Sequence, residues 1–80
     1  MSKWEKLIRR LLLLSGDFRY EELKKVLEHY GYRGKFPKGG SSHVTFRKDG
    51  HIPLTIPIHG IIKKAYVEDV RDVAIEEEGL

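Results

Sequence analysis

Cysteine is absent from the 80-residue chain. That excludes a disulfide scaffold and a thiolate metal site, and makes a reducing cytosol the natural compartment. Long apolar runs are missing too: the longest, Leu11 to Leu14, falls far short of the ~20 residues that span a bilayer. Arg9-Arg10 before those leucines has the outline of a signal peptide. The missing small-residue cleavage site and the helical period of the leucines argue against it. Nor is there an internal repeat, a low-complexity tract or a linker. At this length one domain over residues 1–80 is expected, burying roughly 60% of its extended-chain surface. With 40% hydrophobic and 34% charged residues, the composition is that of a soluble globular domain.

Acid is scarce where base is dense. Residues 32–48 hold Arg33, Lys35, Lys38, Arg47 and Lys48 with no carboxylate among them, whereas residues 65–80 hold six acids against Arg71. Behind a net charge of +3, this asymmetry points to a localised anion-binding face rather than a wholly basic protein, the alternative being that both runs are solvated surface.

The apolar periodicity predicts three helices and three strands. Ser2-Lys3-Trp4-Glu5 has the form of a capping box, and Trp4, Leu7, Ile8, Leu11 and Leu14 recur at helical spacing, giving a helix over about 3–14 that Ser15-Gly16-Asp17 ends. A second helix over 19–30 places Leu23, Val26, Leu27 and Tyr30 on one face, with Gly31 as its left-handed cap. Residues 32–36 form a short strand weakened by Gly34 and Pro37. Strands over 42–48 and 52–58 follow, the latter at a sheet edge because Pro53 and Pro57 cannot donate ladder hydrogen bonds. A last helix over 64–77 buries Val67, Val70 and Ala74; its β-branched content leaves packing to hold it.

The expected class is α+β, in the order α-α-β-β-β-α, with a three-stranded antiparallel sheet covered by helices on one face. For the hairpin, a three-residue Lys48-Asp49-Gly50 loop pairs Phe46 with Ile52 and Val44 with Leu54, keeping both apolar stripes on the covered face. It sets Thr55 opposite His43 and Pro53 opposite Thr45 on the bare one.

That bare face carries the chemistry. On the strand from Ser42 to Lys48, Val44 and Phe46 point one way and His43, Thr45 and Arg47 the other. Imidazole is the side chain that changes charge near neutral pH, as proton-transfer catalysis requires. Phosphodiesters are the natural ligand of a basic surface, so the arrangement points to a small ribonuclease.

The ordered set of motifs resembles the HicA family of toxins from prokaryotic toxin–antitoxin modules. It comprises the glycine-rich loop leading to Ser42-His43, the following Phe46-Arg47, the Asp49-Gly50 hairpin, Ile56-Pro57-Ile58-His59, the lysine-led helix from Lys63-Lys64, and Tyr20-Glu21-Glu22-Leu23 after the first helix. The resemblance implies a double-stranded-RNA-binding-domain-like fold, cleavage of mRNA and neutralisation by a HicB-like antitoxin; the cytoplasmic setting rests on the missing cysteines. The catalytic histidine of the family's Gly-Ser-His motif carries over to His43. Ser41 stands where that motif has glycine.

RNA cleavage can proceed without a metal because the 2′-hydroxyl is a built-in nucleophile; it needs a base, an acid and cations around the phosphorane. His43 is the candidate acid–base catalyst. Ser42, Arg47, Lys35, Lys38, Lys63 and Lys64 are candidate RNA contacts, Arg47 foremost because it shares the face of His43. Lys63 and Lys64 sit against the positive end of their helix dipole, which suits a binding role better than a stabilising one, the equal alternative being a merely solvated pair. No His/Asp/Glu set has metal-ligand spacing, so no metal and no cofactor are expected. His29 reads as solvent-exposed, His51 as part of the turn, and His59 as a residue that approaches His43 only if the strands bring it across. Trp4, Phe18, Tyr20 and Phe46 read as core; Tyr32 fits either role. The competing functions are a non-catalytic RNA-binding module of the same fold and a protein-interaction domain using the bare face or an edge strand.

Overall fold

Ser2 caps the first helix, α1 (Lys3–Leu12). Its hydroxyl accepts the Glu5 amide at 3.1 Å while the Glu5 carboxylate accepts the Ser2 amide at 3.2 Å. These bonds hold the Glu5 carboxyl below its usual range and satisfy two amides that the helix leaves without partners. The computed structural model describes residues 2–36, 39, 40 and 42–79. The helix closes two residues before its expected end. Leu14 takes a left-handed backbone at φ 53°, its amide reaching the Leu11 carbonyl at 3.0 Å and the Ser15 amide reaching Arg10 at 3.1 Å. Leu14, rather than Gly16, makes the turn, and its side chain packs against the core from there.

Arg10 ties this corner to α2 (Tyr20–His29), bonding Glu22 at 2.5 Å and Asp17 at 2.9 Å with its guanidinium 4.6 Å above the Phe18 ring. The Ser15 hydroxyl and then Arg10 hold the Asp17 carboxyl low, and Arg10 above all does so for Glu22. Tyr20, Leu23, Val26 and Leu27 face inward from α2. Gly31 closes the helix at φ 90°, with the Tyr32 amide on the Leu27 carbonyl at 3.0 Å.

The strands are β1 (Arg33–Lys35), β2 (His43–Arg47) and β3 (Leu54–Pro57), antiparallel in the order β1-β2-β3, each a residue or two shorter at its ends than expected. β3 is an edge strand, as its proline requires. Val44, Phe46 and Ile56 point into the core beneath α2 and α3 (Lys64–Glu78), where Val67, Val70, Val73 and Ala74 complete one apolar cluster with Leu7, Leu11 and Phe18. Gly34 lies opposite Phe46 on that side, and the Phe46 ring fills the space a side chain at 34 would take. The architecture is the double-stranded-RNA-binding-domain-like α-α-β-β-β-α fold, an open three-stranded antiparallel sheet with its helices on one face.

The hairpin register departs from expectation by two residues. Phe46 pairs with Leu54, Val44 with Ile56, Thr45 with Thr55 and His43 with Pro57. A turn forms at 48–51, where the His51 amide reaches the Lys48 carbonyl at 3.1 Å and Gly50 has φ 79°. Ile52 and Pro53 then stay outside the ladder, leaving Ile52 84% exposed. Two features accompany the shift. Lys48 pairs with Glu77 at the end of α3, and His51 stands 3.9 Å from the same carboxylate. The hairpin tip is thus held by a helix, and Pro53 has no amide with which to extend the pairing. Because the shift is an even number, every side chain still in the ladder keeps its face, and Ile52, expected on the covered side, is the exception.

Candidate active site

The open face is built from alternate residues of the three strands. β1 contributes Arg33 and Lys35, β2 contributes His43, Thr45 and Arg47, and β3 contributes Thr55 and Pro57. None of the strands contains an acidic residue. Among the described residues, no carboxylate is ion-paired with Arg33, Lys35 or Arg47, while Arg10, Lys48 and Arg71 all have such partners.

His43 opens the central strand and is half-buried. The Ile58 amide reaches the Ser42 carbonyl at 2.9 Å, which makes 42 and 58 a hydrogen-bonded pair and His43–Pro57 a non-hydrogen-bonded one. The missing proline amide thus costs no ladder bond there, and the close approach at such pairs sets the Pro57 ring beside the imidazole. The Ser42 hydroxyl stands 3.5 Å from His43 Nδ1. Thr45 and Thr55, opposed in the next row, bring their hydroxyls to 3.4 Å. The loop before His43 relies on positive φ at Gly39 and Gly40, 99° and 80°, so the conformational freedom expected of the motif glycine is present immediately upstream. Lys38 and Ser41 lie outside the described residues.

The remaining sequence candidates separate. Arg47 and Lys35 share the His43 face, Lys35 opposite Thr45. Lys63 and Lys64 belong to the helical layer, exposed at the start of α3. The β3–α3 connection does leave the sheet at its His43 end. His59 is not the cross-strand neighbour of His43, a place held by Pro57. His29 is exposed but stacks on Trp4, ring centres 4.0 Å apart. Tyr32 belongs to the core, buried to 4% exposure with the Lys48 ammonium over its ring. Among the described residues no three potential metal ligands converge, and no helix is long and apolar enough to cross a membrane.

Arg33, a member of the basic run that the sequence does not single out as a site residue, joins the open face. It lies directly opposite Arg47 on the open face. The signal that finds it is the antiparallel pairing of β1 with β2, which the short strand's own residues do not reveal.

Fold and face together define an RNA-binding-domain-like scaffold whose helix-free side is cationic, acid-free and carries a histidine on the central strand. A family model described as HicA toxin of bacterial toxin-antitoxin matches residues 20–74, and the chain belongs to that family. Membership gives it the toxin role in a toxin–antitoxin pair, and with it an antitoxin partner. No curated protein and no solved structure matches the chain at a significant level.

Proposed function

We propose that the protein is an endoribonuclease that cleaves mRNA without a metal, with His43 as its acid–base catalyst, and that a HicB-like antitoxin silences it by covering the same face. The observation that carries this reading is the imidazole on the central strand of a sheet face rich in cations and devoid of acid. An open face, unlike a pocket, admits a polymer.

In the proposed reaction, His43 removes the proton of a ribose 2′-hydroxyl, and the 2′-oxygen attacks the adjacent phosphorus. The bond to the 5′-oxygen of the next nucleotide breaks, that oxygen takes up a proton, and a 2′,3′-cyclic phosphate remains. Charge accumulates on the non-bridging oxygens along the way. Arg47, Lys35, Lys38, Lys63, Lys64 and the Ser42 hydroxyl hold the strand, and those of them nearest the imidazole offset that charge. An antitoxin with an acidic surface fits the same cations, which accelerates association as well as adding specificity.

The test is incubation of the purified protein with mRNA in excess chelator, beside the His43→Ala variant. Cleavage by the parent should persist and leave cyclic or 3′-phosphate ends. The variant should lose activity on the order of 10²–10⁴-fold while its stability shifts by under about 0.5 kcal/mol. Activity that vanishes with chelator and returns with magnesium contradicts the metal-free mechanism. Salt-sensitive binding of duplex RNA with no cleavage would instead identify a non-catalytic RNA-binding module.

A further inference from the structure

We propose that Arg33 and Arg47 together form a second phosphate-binding point on the open face, one that grips the RNA backbone beside the cleavage position rather than at it. The inference rests on the reading of this face as an RNA surface, and it adds a residue and a division of labour to it.

The two arginines are directly opposed across β1 and β2, which sets their β-carbons about 4.5–5.5 Å apart. Like charges in that relation destabilise a sheet. No carboxylate on the strands relieves them, and neither guanidinium is ion-paired within the described residues. A fold that keeps two unrelieved cations face to face gains nothing in stability from the pair. A phosphate between them removes the repulsion and accepts two planar forks, the geometry for which arginine surpasses lysine. Cations on an edge strand also discourage pairing with other chains. That accounts for Arg33 on β1 but not for Arg47, which lies on the central strand.

Position separates this point from the chemistry. His43 begins β2 and Arg47 ends it, and four residues at 3.3–3.4 Å each put their backbones roughly 13 Å apart. Between them runs the row of Lys35, Thr45 and Thr55, a polar floor over which the chain can pass. A phosphate held at the Arg33–Arg47 end is therefore a different one from the reacting phosphate, and its contacts act on substrate binding without touching the bond that breaks.

The experiment compares the parent, Arg33→Ala and, as a control on α2, Lys25→Ala. Each binds a short single-stranded oligonucleotide made uncleavable by 2′-O-methylation, over a range of salt. Arg33→Ala should raise Kd on the order of tenfold and reduce the slope of log K against log salt by about 0.7; Lys25→Ala should change neither. On a cleavable oligonucleotide of the same sequence, Arg33→Ala should raise KM and spare kcat, the signature of binding shared by ground and transition states. Its melting temperature should hold or rise, since an opposed like charge has gone. Unchanged affinity overturns the proposal, as does a parallel fall in kcat, which would place Arg33 at the reacting phosphate. A variant that binds RNA normally but loses the antitoxin would reassign the pair to the protein interface. The binding arm needs no cleavage, so a parent that binds RNA and cuts nothing defeats the catalytic reading alone.

Discussion

Replacing Gly34 by alanine tests the packing that presents the site. A β-carbon there would lie 2.6 Å from Phe46 Cε2 and 2.9 Å from Cζ. The Phe46 ring is wholly buried and cannot swing into solvent, so either the ring repacks or β1 lifts away from β2. Overpacking of this kind costs about 1–3 kcal/mol. Alanine recovers roughly 0.5–1 kcal/mol by restricting the backbone of the unfolded chain. The balance is a loss of about 1–2 kcal/mol, and for a domain of this size each kcal/mol moves Tm by about 4–8 °C. A fall of about 5–15 °C in a calorimetric or circular-dichroism melt is the expected result. Because Arg33 and Lys35 flank Gly34 on the same short strand, RNA affinity should also drop at temperatures far below the melt. Shortening the ring in a Gly34→Ala, Phe46→Leu double variant should cost less than the two single changes added, since the crowding then disappears. An unchanged or raised Tm in Gly34→Ala would refute the close approach on which the reasoning stands.

Two further outcomes follow from the charge arrangement. Arg47→Glu should weaken both RNA cleavage and antitoxin binding, measured by a cleavage assay and by titration calorimetry; normal antitoxin affinity in that variant would show that the partner uses another surface. At the helical corner, Arg10 holds the Glu22 carboxyl below its ordinary value of 4.5, so the pairing stabilises the fold at neutral pH and fades as pH falls through the depressed range. The stability gap between the parent and Arg10→Ala, read from denaturant midpoints, should shrink as pH drops below 4.5; curves that stay parallel would mean that the pairing contributes nothing.

The alternation of β2 was legible because Val44 and Phe46 have nowhere to go but the core, and that alone puts His43, Thr45 and Arg47 on the bare side. Register was not legible. Faces depend on parity, which apolar residues report, but parity leaves the offset open to any even shift, and the tip's contact from Lys48 to Glu77 lies 29 residues away in sequence. Arg33 escaped for a related reason: all three residues of β1 are exposed, so no buried neighbour marks its orientation, and only pairing with β2 assigns its face. The end of α1 was misplaced because a non-glycine residue, Leu14, adopts the left-handed turn, at a cost of about 1–2 kcal/mol that local sequence rules count against it. Trp4 read as core from its spacing; in the fold it is only half-buried, stacked on His29 and edge-on to Tyr30, contacts that no helical period encodes.

The groove lined by Trp4, Ile8, Tyr30 and Glu78 has a practical reach beyond packing. It brings the first turns of α1 against the last turn of α3, on the helical side of the sheet. An affinity tag, a fluorophore or a surface linker attached near either of those turns would sit behind the sheet. Immobilised in that way, the molecule would turn its cationic face outward, so the same preparation could meet an RNA strand and an antitoxin in direct competition.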